Sequence, residues 1–409
     1  MKKTQLVILA VCTAFLVVGA QAFADITVEI EVPAITFTGS NVPGVDAALT
    51  SLFDVTKSTE FQTEKAKYES SATSELDKFD DQSDLAKGFA DANMAAAQSS
   101  TLQGFEGYKT FAVMGGFMLG VQLPSTDPSV ISDLSNTLAD DPDVYAGVAP
   151  SVSLNVGFNL GKILGLFNND LGDKTKRVYV NVKGGYYNGS YDGSDDTSFD
   201  MKSTTFGLGV NYMLVRPIGL GLGFLKWRGL SVGSGLTYQR NTFDSSTTLD
   251  PIDQSFSMAT TATGGIPVTV NGVLTAVPKV DIGVDMRTFA IPLEAVTSVQ
   301  LLYVLNVTAG LGVDLVFGHS DITATSRSTL SVKSVTTTVN GISADVPYTE
   351  TKQGSVSVDA STNDIKPTLA RARVMGGIGL NAGPVKFDVP MYYYFSSGFG
   401  VGMSVGFVW

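Results

Sequence analysis

From Thr110 to the C-terminus, large apolar residues fall on every second position, in ten segments separated by polar links. This is the strand period. The last segment, Phe399–Trp409, sets Phe399, Val401, Met403, Val405, Phe407 and Trp409 against Gly400, Gly402, Ser404, Gly406 and Val408. One face is apolar and the other nearly bare. Nine earlier segments are expected at Thr110–Leu123, Ser151–Leu160, Arg177–Asn188, Thr204–Val215, Arg228–Asn241, Val280–Ile291, Leu301–Gly318, Thr368–Leu380 and Val385–Phe395. A tilted strand needs about 9–11 residues to cross a bilayer, and each segment is long enough.

Apolar-out, polar-in alternation over ten segments predicts an all-β fold, an antiparallel transmembrane β-barrel. A soluble sandwich alternates in the same way. Two features favour the barrel. The second face is Gly, Ser, Asn and Thr with few charges, as in a lumen wall. The links also alternate in length. Those at 124–150, 189–203, 242–279 and 319–367 are long and those at 161–176, 216–227, 292–300 and 381–384 are shorter; the last hairpin, Ser396–Gly398, breaks the trend. With the N-terminus in the periplasm, the long links face outward. Trp227 and Trp409 then both fall at the periplasmic interface. Asn271-Gly272 and Asn340-Gly341 carry hairpin chemistry and are read as hairpins above the membrane. Counting both in the wall would give 14 strands.

The N-terminal quarter differs. Met1–Thr4 is charged, an apolar run follows to Ala20, and Ala22-Phe23-Ala24 is a small-x-small end. Residues 1–24 are thus expected to be a signal peptide cut after Ala24. The single cysteine, Cys12, lies inside it, so the exported chain has no thiol or disulfide chemistry. Residues 25–108 form an acidic, mostly helical segment, a plug or a periplasmic piece. It opens with one alternating strand from Asp25, and Val45, Leu49, Leu52 and Phe53 mark a helix face. It holds 15 acids and 5 lysines, most of the −12 formal charge of the chain. That balance argues against nucleic acid as a partner. The barrel is expected over 109–409.

The terminal apolar stripe ending in an aromatic resembles the C-terminal strand of bacterial outer-membrane β-barrels. In that family the last aromatic belongs to the signal read by the barrel assembly machinery, and Trp409 stands where Phe is usual. The resemblance implies an outer-membrane location, with lipid and that machinery as partners. Fourteen strands behind a plug would also look like the FadL-type transporters. The Asn-Pro-Ala motif of their plug is absent; Gly88–Ala97 reads G-F-A-D-A-N-M-A-A-A.

Candidate chemistry lies on the polar face. Arg371 and Arg373 share one side of their strand. A plain hairpin register places Arg373 opposite Tyr392 and Arg371 opposite Tyr394, with Gly400 and Gly402 facing the rings. Such a cluster could hold an anionic or amphipathic solute through cation–π contacts. Alternatively the arginines pair with acids and fill the lumen. Arg287, Asp281, Asp285, Asp314, Lys386 and Asp388 complete the expected lumen set. His319 with Asp321 is reminiscent of the carboxylate and histidine sites of ten-stranded omptin proteases, but no second pair of acids accompanies it. No metal spacing, Walker loop or GxSxG element occurs, so neither a catalytic residue nor a cofactor is expected. The leading expectation is a barrel that passes or binds small solutes. The alternatives are a closed structural or adhesive surface barrel and, less so, a membrane enzyme.

Overall fold

A computed structural model describes residues 25–31, 33–37, 83–98, 110–125, 144–165, 174–193, 197–219, 224–262, 266–339, 342–345 and 347–409. The leader, its cleavage site and the helix face at Val45–Phe53 lie outside the described residues. Ten strands close into an antiparallel ring in chain order. They are β3 (Phe111–Gln122), β4 (Gly147–Asn159), β5 (Val178–Asp192), β6 (Ser198–Val215), β8 (Leu225–Thr248), β10 (Ile266–Leu301), β11 (Leu305–Val339), β15 (Ala370–Ala382), β16 (Val385–Tyr394) and β17 (Gly398–Val408). The terminal strand closes the wall, with Gly398 opposite Gln122 and Val408 opposite Ala112. The ring therefore has ten strands, not fourteen, and the strand count behind the likeness to FadL-type transporters is not met.

Two short connections mark one end, the short-turn end, while the short links 193–197 and 395–397 lie at the other. Leu302–Val304 joins β10 to β11, and Gly383-Pro384 joins β15 to β16. Trp409 lies at this end, its ring stacked 4.4 Å from that of Phe111. Trp227 belongs to β8 rather than to a turn, and its indole N–H donates to Thr297 Oγ1 at 2.8 Å. Around the ring, Phe117, Leu154, Phe206, Leu293, Leu311, Ile378, Val401 and Phe407 are exposed. An apolar surface of this kind is stable only against lipid.

At the other end the strands continue. β10 and β11 have 36 and 35 residues, where about 9–11 suffice to cross. The links expected at 242–279 and 319–367 are thus mostly strand. So is 292–300, expected as a short link. Pairing of β10 with β8 skips Ile291 and Pro292 and resumes at Leu293, as the missing proline N–H requires. Asn271-Gly272 is no hairpin: it lies inside β10, opposite Thr336 and Val335. Val339 pairs with Ile342 of β12 (Ile342–Asp345), on either side of Asn340-Gly341, which lie outside the described residues. β9 (Ile252–Ala262) and β14 (Gly354–Ile365) enlarge this outer sheet, β13 (Tyr348–Lys352) stands in a separate two-stranded sheet, and the short β7 (Ile218–Gly219) pairs with β8 at the opposite end. The N-terminal strand β1 (Asp25–Glu31) pairs with β14, and β2 (Ala34–Phe37) pairs with β13.

The chemistry of the two faces inverts along β10. Within the belt Phe289 and Leu293 point out. Beyond it, still on the outward set, come Arg287, Asp285 and Asp281, while Ile282, Val284 and Met286 are buried inside. The backbone alternation is unbroken; only the medium outside changes from lipid to water. Arg287, Asp285 and Asp281 therefore do not face the lumen as expected. In the outer half the interior is an apolar core of Leu85, Phe89, Val144, Phe243, Ile282, Val284, Met286 and Ile322, with partly buried Leu119 and Phe199 packed against it.

Candidate functional site: a helix latched in the lumen

Helix α1 (Ser83–Ala96) occupies the lumen, and every residue from Gly88 to Gln98 is buried. Its sequence explains the fit. Six alanines and Gly88 over Ala86–Ala97 keep the cylinder thin, and alanine is the best helix former. Gly88 lies against Ala146 and Gly147, and Gly120 of β3 lies under the backbone of Ala92 and Ala96; a Cβ at any of these three glycines would strike backbone. Leu85 and Phe89 enter the outer core, each contributing about 1.5–3 kcal/mol of apolar burial. Met94 and Ala97 pack on Ala290 and Val316.

Polar contacts set the depth of the helix. Asp91 is fully buried. Its carboxylate accepts from the Thr368 N–H at 3.0 Å, the Thr368 hydroxyl at 2.7 Å and the Tyr145 hydroxyl. Burial, then the charge of Asp91, pushes the Tyr145 phenol above its ordinary range, so it stays a donor. Arg371 lies 3.8 Å from the same carboxylate, and both side chains are wholly buried. Its guanidinium donates to the Asp91 carbonyl at 2.6 Å, to Gln122 Oε1 at 2.6 Å and to Ser396 Oγ at 3.1 Å. Two residues on, and so on a different side of the helix, Asn93 donates to the Gln239 carbonyl at 3.1 Å and Thr288 Oγ1 at 2.9 Å, and accepts from Asn241 at 2.9 Å. The Ala97 carbonyl, at the helix C-terminus, accepts from the Lys183 ammonium, where the helix dipole favours a cation.

A second ionic group lies on the adjacent wall. Arg373 pairs with Glu294 at 3.0 Å and Asp314 at 3.3 Å, and Tyr394 donates to Asp314 at 3.0 Å. Arg371 stacks over Tyr394 at 4.3 Å and Arg373 over Tyr392 at 5.1 Å. The stacked pairs are those expected, but the register differs by two residues. Arg373 lies opposite Tyr394, because Ala382 pairs directly with Val385 across Gly383-Pro384. The rings thus contact the arginines diagonally. Gly400 does face Tyr392, but Gly398 rather than Gly402 faces Tyr394, and a Cβ at Gly398 would strike the Arg371 guanidinium. Lys386 pairs with Asp388 at 3.1 Å, nearer the short-turn end and apart from the arginines. Sequence reasoning missed Asp91 and Glu294, the carboxylates nearest the two arginines.

Outside the wall, Asp285 holds both Arg240 and Arg287, at 2.8 and 2.6 Å, and Asp281 pairs with Lys279 at 3.5 Å. A groove of about 490 Å³ runs beside this cluster, lined by Tyr186, Lys202, Arg240, Asp244, Asp285 and Asp321 among others. His319 Nε2 is 3.7 Å from Asp321 and Nδ1 is 4.0 Å from Asp364. Among the described residues, no group of three or more His, Cys, Asp or Glu is placed to hold a metal. Below α1 the lumen keeps a cavity of about 50 Å³, lined by Gln98, Asn155, Asn181, Lys183, Asn211 and Glu294 among others. That is space for a few waters.

No curated protein matches the chain. Solved structures align at low similarity. The translocator domain of the autotransporter NalP from Neisseria meningitidis is 10% identical, covering 78% of this chain and 93% of that one, with a TM-score of 0.27. Omp33, an outer membrane protein of Acinetobacter baumannii, is 10% identical over 73% of this chain and 98% of its own, with a TM-score of 0.22. The CymD monoaromatic hydrocarbon channel is 10% identical over 78% and 93%, with a TM-score of 0.22. At these scores the likenesses carry no argument; the barrel stands on its own strand register. One family model, described as Lsa36-like, matches residues 22–409, and the chain belongs to that Lsa36-like family.

Proposed function

We propose that the protein is an outer-membrane β-barrel whose lumen is closed by its own helix and which acts through the sheet it raises outside the membrane. The observation that carries this reading is the buried contact of Asp91 with Arg371, which ties α1 to the wall. A helix that fills the bore above a cavity of about 50 Å³ obstructs the path of solutes among the described residues. Beyond the belt β10 presents the charged residues Arg287, Asp285, Asp281 and Lys279 to the exterior, and β11 presents Thr323, Arg327, Thr329 and Lys333, a polar surface suited to contact with other macromolecules. The apolar belt supports the outer-membrane location, since strands cross only that type of bilayer as closed barrels. Proteolysis of intact cells tests the reading. Protease should remove the outer sheet and leave a membrane-protected barrel core. Full protection of the chain would contradict it.

A second reading is a gated channel for small polar or anionic solutes, as the lumen arginines and tyrosines first suggested. One observation favours it. The wall around the lower lumen is polar, with Asn155, Asn181, Asn211, Thr237 and Lys183, and would hydrate if α1 left. Conductance of the purified barrel separates the two readings.

A further inference from the structure

We infer that the chain threads its own barrel, so that the exported N-terminal strand is displayed on the cell surface. The sequence alone had placed this N-terminus in the periplasm. Three placements carry the inference. First, β1 pairs with β14 from Asp25 opposite Ser361 to Glu31 opposite Ser355. β14 in turn pairs with the far part of β11, Ser320 to Leu330. These residues lie beyond the belt, at the end opposite Leu302–Val304. The attachment is extended by Lys352, whose ammonium is 2.9 Å from Glu31, and by Thr351, whose hydroxyl donates to the Ala34 carbonyl at 3.0 Å. Second, α1 enters from that same end. Leu85 and Phe89 lie among Val144, Ile282 and Ile322 of the outer core, while Ala97 has descended to Lys183. Third, the chain re-emerges at the opposite end, where the Thr110 N–H donates to the Trp409 carbonyl at 2.6 Å.

Residues 99–109 join these last two points, and eleven residues extend to about 36–40 Å, enough for the remaining depth of a belt of about 25 Å. The wall therefore encloses one further crossing of the membrane, made by the chain's own N-terminal arm. Both ends of the stretch between Phe37 and Ser83 lie on the outer side. The barrel is thus a holder for its own N-terminal segment as well as for the outer sheet. This rests on the outer-membrane reading, but not on whether the lumen conducts.

Single cysteines in a Cys12→Ser background test it, labelled on intact cells with a membrane-impermeant maleimide. Glu29→Cys and Glu31→Cys report on β1, Thr329→Cys on the outer sheet and Val304→Cys on the short-turn end; heat-modifiable migration on gels confirms that each variant folds. The expected result is labelling of Glu29→Cys and Thr329→Cys to the same extent on intact cells. Val304→Cys should label only after the outer membrane is permeabilised, at least tenfold less before. Labelling of Thr329→Cys with protection of both β1 cysteines would overturn the threading while leaving the barrel reading intact. Protection of Thr329→Cys with labelling of Val304→Cys would overturn both.

Discussion

The side chains of Asp91 and Arg371 are separated by 280 residues in sequence and by 3.8 Å in space, and neither touches solvent. One belongs to the helix in the lumen and the other to the wall. Removing one partner of a buried pair typically costs about 3–5 kcal/mol, because the other charge is left without compensation. Arg371→Ala should therefore lower the temperature at which the unboiled gel form is lost. Asp91→Ala with Arg371→Ala should cost less than the sum of the single changes, since the cycle reports their coupling. Strict additivity would mean that the pair does not hold the helix.

Helix docking also depends on bare backbone at the contact. A Cβ at Gly120 would collide with the backbone of Ala92 and Ala96, whereas at Gly219 it meets nothing within 4 Å. Gly120→Val is expected to expel α1 and make it sensitive to added protease in detergent, with Gly219→Ala indistinguishable from wild type. Equal protease resistance of the two would place the helix elsewhere.

Much of this was legible in the sequence, for a physical reason. Period-two alternation assigns faces whatever the register, so Arg371, Arg373, Tyr392 and Tyr394 could be gathered on one inner face. The hairpin centre was misplaced by one residue, which shifts partners by two and preserves the face. Asp91 left no such trace. It sits in an alanine-rich helix whose partners, Thr368 and Arg371, lie 277 and 280 residues away. Glu294 fell in the link expected at 292–300, which is in fact part of β10. For Asp281, Asp285 and Arg287 the sequence showed that they share one face, but that face was assigned to the lumen and lies outside. Which side of a strand meets water depends on its height above the belt, and the sequence does not mark where lipid ends.

That inversion makes its own prediction. Val284→Asp would place a carboxylate in the apolar outer core, where an uncompensated charge is costly. Asp285→Ala removes a carboxylate that is partly exposed and bonded to Arg240 and Arg287 at the surface. Such exposed pairs contribute about 0–1 kcal/mol. Thermal unfolding should show a large loss for the first and a small one for the second. The reverse order would mean that the faces are exchanged.

Trp409 stacks on both Phe111 and Phe407, at 4.4 and 5.7 Å, and so closes the seam between the last strand and the first. Deleting it should leave export intact but reduce the amount of heat-modifiable protein in the outer membrane. Normal outer-membrane levels of the truncated chain would show that the terminal aromatic does not act at insertion.

Planar-bilayer conductance of the purified full-length protein is the most direct measurement of whether the lumen is closed. With α1 latched by Asp91 and Arg371, the account predicts no conductance steps from wild type, and steps from the Gly120→Val or Arg371→Ala protein if its barrel remains heat-modifiable. Stable channels from the wild-type protein, unchanged by either substitution, would contradict the closed barrel.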